Sequence, residues 1–103
     1  LLTFFPPRIH CNTMTKYDKE ILKAVEKKKI PDKVFLQIHH CFQAIEKVGD
    51  LSIFDIKKIR GDYKYDYFRL RKGNYRAILF MENKNIKVVA LEHRSEVYKK
   101  WES

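Results

Sequence analysis

The stretch YKYDYFRLRKGNYRAILFMENKNIKVVAL, residues 63–91, decides the fold. From Tyr63 to Arg71 the side chains alternate with the period of a strand. Tyr65, Tyr67, Arg69 and Arg71 share one face, and Asp66, Phe68 and Leu70 share the other. Lys72-Gly73-Asn74 is a turn signal, and Tyr75 to Met81 continues as a second strand. Glu82-Asn83-Lys84-Asn85 makes another turn before a third strand from Ile86 to Leu91. Two consecutive β-hairpins predict an antiparallel meander.

Upstream the period is helical. Tyr17, Ile21, Leu22 and Val25 recur at helical spacing, with Lys19, Glu20, Lys23, Glu26 and Lys27 on the other faces. A surface helix is predicted to about Lys29, with Thr15 as its N-cap. Pro31 and Asp32 break it and start another, in which Val34, Ile38, Cys41, Phe42, Ile45 and Val48 form one stripe and Gly49 takes the C-terminal cap position. The two make a helical hairpin. Arg8 to Asn12 reads as a short first strand. Asp50 to Arg60 reads as a mixed segment with a helical turn holding Ile53, Ile56 and Ile59. Ser95 reads as the cap of a short last helix with Val97, Tyr98 and Trp101. The expected architecture is α+β: an N-terminal helical hairpin on one face of a small twisted, mainly antiparallel sheet, with a short C-terminal helix and arginines on the other face.

Length and composition agree with one domain over residues 1–103, with 1–7 as an extra N-terminal segment ending at Pro6-Pro7. Hydrophobic residues make up 45% of the chain, enough to argue against disorder. The formal net charge is +9. Residues 1–56 hold 9 basic and 7 acidic side chains, a net of +2, whereas residues 57–103 hold 13 and 6, a net of +7. Positive charge gathered in one half is the footprint of a polyanion binder. Cys11 and Cys41 lack metal-ligand spacing, and His39-His40 has no acidic ligands nearby, so no metal or other cofactor is expected. Reduced, buried thiols fit a cytoplasmic protein. The apolar opening Leu1 to Phe5 is too short for a signal core or a membrane span.

Three segments in order carry a family resemblance: Lys58-Ile59-Arg60-Gly61, then Phe68 to Arg76 as F-R-L-R-K-G-N-Y-R, then His93-Arg94-Ser95-Glu96-Val97-Tyr98. Together they resemble the RelE/ParE toxin superfamily, whose members show an R-L-R-x-G-x-Y-R hairpin and a closing H-R-x-x-V-Y. The resemblance spans nearly the whole chain beyond Pro7. It implies a toxin of a type II toxin–antitoxin pair, silenced by a cognate acidic antitoxin. The RelE-like branch cleaves mRNA as a metal-independent endoribonuclease at the ribosome. The ParE-like branch inhibits DNA gyrase, which is the alternative, as is an attenuated member that only binds RNA or antitoxin.

Metal-free RNA cleavage requires activation of the 2′-hydroxyl, stabilisation of a phosphorane-like transition state and protonation of the leaving 5′-oxygen. Arginine suits the second task, because its planar fork stays charged and grips two phosphate oxygens. By the resemblance, Arg76 is the hairpin arginine at the scissile phosphate and Arg94 the late arginine with a similar role. Some relatives place that late arginine two positions earlier, where this chain has Glu92. His93 is either an acid/base or a packed histidine fixing the strand end, and Tyr98 matches a C-terminal tyrosine that stacks on or activates RNA. Arg69 and Tyr67 fall where some relatives carry catalytic lysines, and Tyr67 cannot supply a cation. Lys64, Tyr67, Arg71, Lys72 and Arg60 complete the set as RNA-binding candidates, with interleaved tyrosines available for base stacking.

Overall fold

The computed structural model describes residues 14–59 and 64–97 in full and the backbone of 98–100. In chain order the elements are β1 (Thr15–Tyr17), α1 (Lys19–Glu26), α2 (Asp32–Val48), a 3₁₀ turn (Leu51–Ile53), β2 (Ile56–Lys58), β3 (Phe68–Lys72), β4 (Tyr75–Glu82), β5 (Asn85–His93) and α3 (Arg94–Lys100). They form one five-stranded sheet in the order β1-β5-β4-β3-β2, antiparallel except where β1 runs parallel to β5. The expected α+β class and meander are therefore present.

The helical hairpin covers one face. Ile38, Cys41, Phe42 and Ile45 of α2, with Ile21 of α1 and Ile30 of the connection, pack on Leu70, Ala77, Leu79, Ile86, Val88 and Leu91. Fully burying one such large side chain stabilises by roughly 1.5–3 kcal/mol, so this layer dominates the fold. Cys41 is a buried free thiol whose pKa is pushed up by burial, an effect opposed by the charge of Lys72. A second, smaller core lies on the other face, where Val97 of α3 meets Ile59, Ile78 and Ala90.

Several boundaries differ from the sequence reading. Thr15 does not cap α1: it lies in β1, and its hydroxyl donates to Glu46 Oε2 at 2.5 Å. Asp18 takes the N-cap position, without a side-chain cap bond. Tyr17 leaves the helical stripe for the same reason. Residues 15–17 satisfy their backbone on the edge of β5, and the Tyr17 ring inserts among Phe35, His39 and Phe42. α1 ends at Glu26, short of Lys29, because Lys28 turns left-handed at φ 65°. Gly49 does end α2 in the left-handed conformation, at φ 78°. Ile56 belongs to a strand, paired with Leu70, which gives β3 a partner on its outer edge. β3 itself begins at Phe68, five residues later than Tyr63, and Ser95 lies inside α3. The strand expected at Arg8 to Asn12, together with Cys11, Arg60, Tyr63 and Trp101, lies outside the described residues.

Candidate nucleic-acid interface

Strand alternation sorts the basic residues onto two faces. Leu70 and Tyr75 pack toward the helical hairpin, so Lys72, two positions beyond Leu70, faces that layer as well. This separates Lys72 from the arginines it was grouped with. Arg69, Arg71 and Arg76 take the opposite face, with Ile78 and Phe80. The cross-strand register gives two rows there. In one, Lys57 pairs with Arg69, which pairs with Ile78. In the other, Arg71 pairs with Arg76, which pairs with Glu92.

Like charges directly opposite one another on a sheet are destabilising, so the Arg71–Arg76 pair needs compensation. Asp55 supplies it on one side, accepting from Arg71 Nε at 2.8 Å. Glu92 stands across from Arg76 on the other. Arg71 is thus committed to a structural pair, although it stays half-exposed. The row of Lys57 and Arg69 has no acid in register.

Among the described residues Arg76 is the one charged side chain that is buried, at 6% exposure. Its Nη1 donates to the carbonyls of Gly73 and Tyr75, both at 2.9 Å. The guanidinium is therefore fixed on the β3–β4 turn before any ligand arrives. Its Nε, and that of Arg69, are buried and make no hydrogen bond among the described residues. Two guanidinium groups on adjoining strands give this face a fixed positive charge that favours an anionic oxygen. The same turn anchors Arg94, whose backbone amide donates to Asn74 O at 2.8 Å. Gly73, at φ 61°, permits that tight turn. One two-residue loop therefore gathers Arg76 and the start of α3.

His93 goes elsewhere. It pairs with Tyr75, meets that ring edge-on at 5.5 Å, and so lies on the helical-hairpin side. Its Nδ1 accepts from the Ser95 amide at 3.3 Å and contacts the Ser95 hydroxyl at 3.0 Å, holding the first turn of α3. An amide can only donate, so neutral His93 carries its proton on Nε2. Tyr98 follows Arg94 by one helical turn, but its side chain, like Arg60, lies outside the described residues.

At the far end of the same face, Tyr65 stacks on Phe80 with ring centroids 4.2 Å apart and planes 16° from parallel. Tyr67 meets both rings edge-on. Lys64 Nζ lies 5.3 Å from the Tyr65 ring centroid. Between this end and Arg76, a β-bulge interrupts the β4–β5 ladder: Ile78 pairs with Ala90 and Leu79 with Val88, leaving Val89 unmatched.

A cleft of about 350 Å³ runs along β5 between α1 and α3. Glu20, Glu92 and Glu96 line it against a single Lys29. Its acidity is wrong for a polyanion, which leaves the open arginine face as the candidate interface. Lys57, Asp55 and Glu92 were missed as site residues, since their placement follows from a β2 strand and a bulge that the sequence pattern did not reveal. Among the described residues no group of three or more His, Cys, Asp or Glu could hold a metal, and no helix is long and apolar enough to cross a membrane.

No protein-family model and no curated protein sequence matches the chain. Solved structures do, among them two RelB–RelE complexes. The RelB–RelE antitoxin–toxin complex from Methanococcus jannaschii matches with a TM-score of 0.64 and 26% identity, over 81% of this chain and 94% of that one. The archaeal RelE–RelB complex from Pyrococcus horikoshii OT3 matches with a TM-score of 0.63 and 26% identity, over 80% and 94%.

Proposed function

From a chain with the RelE toxin fold, we infer the toxin of a toxin–antitoxin pair, acting as a metal-independent endoribonuclease on mRNA at the ribosome. The observation that carries this reading is Arg76: a buried guanidinium pinned to the β3–β4 turn, on the same turn that holds the start of α3 at Arg94. Fixed donors stabilise developing charge without reorganising, which is where most catalytic electrostatics comes from.

In the proposed reaction the 2′-oxygen attacks the adjacent phosphorus and the P–O5′ bond breaks, giving a 2′,3′-cyclic phosphate and a 5′-hydroxyl. The 2′-hydroxyl proton leaves to a base, and the 5′-oxygen gains a proton. Arg76 and Arg94 hold the non-bridging oxygens. Arg69, with Lys57 beside it in register, supplies the cation that a lysine at position 67 would have given. Tyr98 is the proposed proton carrier. His93 is a positioning residue, since its ring fixes the first turn of α3 from the opposite side of the sheet. The proposed partner that silences the toxin is an acidic antitoxin, complementary to the +9 charge and in keeping with the two similar chains having been solved as complexes with RelB.

Inducible expression with genome-wide mapping of mRNA 5′ ends tests the reading. New 5′-hydroxyl ends within translated messages are expected. Arg76→Ala should lower cleavage by roughly 100-fold or more, and Arg76→Ala with Arg94→Ala should abolish growth arrest. Intact messages with trapped, cleaved DNA would instead make gyrase the target. Intact messages and intact DNA would leave a binder only.

A further inference from the structure

The aromatic end of the arginine face is not explained by phosphate chemistry, and it has the construction of a stacking site. The Tyr65 ring lies flat on Phe80, offset-parallel at 4.2 Å, so one π-face is covered. Tyr65 nonetheless remains partly exposed, while Phe80 beneath it is buried at 9%. Tyr67 props both rings edge-on, at 6.2 Å from Tyr65 and 5.4 Å from Phe80. This T-shaped support holds the stack at a set tilt. The exposed Lys64 ammonium lies over the Tyr65 ring, 5.3 Å from its centroid. A solvent-exposed lysine over a ring whose other face is already packed can give way to a base and take that nucleotide's phosphate, the pairing that single-stranded nucleic acids use.

Phe80 and Arg76 are on one strand and one face, four residues apart, a separation of about 13 Å at the usual rise of a strand. A chain whose phosphate sits at Arg76 therefore passes Tyr65 within a few nucleotides. We propose that Tyr65, backed by Phe80 and Tyr67 and flanked by Lys64, is a base-stacking subsite for single-stranded RNA running from the arginine cluster. This rests on the ribonuclease reading and adds where the strand runs and what grips it.

The competing explanation is that Tyr65 merely shields Phe80 from water. Three variants separate the two. Tyr65→Leu keeps an apolar cover but removes the π-face. Tyr65→Phe keeps both, and Lys64→Ala removes only the cation. The probe is a short oligoribonucleotide carrying 2-aminopurine, whose fluorescence is quenched when the base stacks. Wild type should bind and quench. Tyr65→Leu should weaken binding by roughly 5- to 150-fold, from the usual worth of one base–aromatic stack, and lose the quench with its thermal midpoint unchanged. Tyr65→Phe should bind within about twofold of wild type, and Lys64→Ala should lessen the salt dependence by about one phosphate contact. If wild type binds and cleaves RNA while Tyr65→Leu binds and quenches equally well, the subsite is overturned and the ribonuclease reading stands. A wild type that binds no RNA overturns both.

Discussion

Tyr17 hydrogen-bonds His39 Nδ1 at 2.8 Å from within the aromatic cluster that ties β1 to α2. Burial first, then the Glu46 carboxylate and then Cys41, hold its phenolic proton on well above the ordinary tyrosine range. The consequence for stability has a definite sign. Below about pH 10 both folded and unfolded chains keep this proton; above it the unfolded chain loses it first, so stability falls as pH rises. Tyr17→Phe should cost about 1 kcal/mol at neutral pH through the lost hydrogen bond. In urea titrations the gap to wild type should hold up to about pH 10 and close by about pH 11, and a gap that stays constant would rule out the linkage. None of this was legible in the sequence, where Tyr17 fitted a helical stripe. Arg76 was legible as a residue, through the hairpin motif, but not as a buried one. Its burial depends on a turn whose carbonyls point inward and on Glu92 across the ladder.

Strands β4 and β5 were legible because their alternation is long and is bounded by strong turn residues; α2 was legible through its stripe and Gly49. Short edge elements were not. β1 and β2 have three residues each, too few for a period, and they exist because a neighbouring strand offers unpaired backbone groups. The β4–β5 turn adds a test at this scale. Asn83 and Lys84 both have positive φ, 51° and 69°, the requirement of a type I′ turn. Asparagine tolerates that geometry and lysine does not. Lys84→Gly should therefore stabilise the chain by about 1 kcal/mol. For a domain of this size that raises the thermal midpoint by roughly 4–8 °C, measurable by circular dichroism. An unchanged or lower midpoint would contradict the turn assignment.

Across the molecule, the +7 balance of residues 57–103 becomes a surface only because the sheet turns Lys57, Arg69 and Arg76 to one side and the helical hairpin occupies the other. Charge and motif order pointed to that interface. The alternation that sets Leu70 opposite the arginines also turns Lys72 away from them once β3 runs through Lys72, whereas the part of His93 in holding α3 follows only from the ladder. With Lys57, Lys64, Arg69, Arg76 and Arg94 on phosphates, log K for single-stranded RNA should fall with log salt at a slope of about −3.5, from about −0.7 per contact. Removing Lys57 should reduce that slope by about 0.7, and a salt-independent affinity would exclude the assignment. The unmatched Val89 bears on this surface in a further way. A bulge increases local twist and bends its strand, and this one lies between the arginine end and the aromatic end of β4. Taking Val89 out would leave every cross-strand partner the same, Arg76 still facing Glu92 and Leu79 still facing Val88, while the two ends swung relative to each other. The main chain thus sets the angle between the two proposed gripping points independently of their side chains. A lineage could retune the path of its substrate by gaining or losing one residue, with neither grip altered.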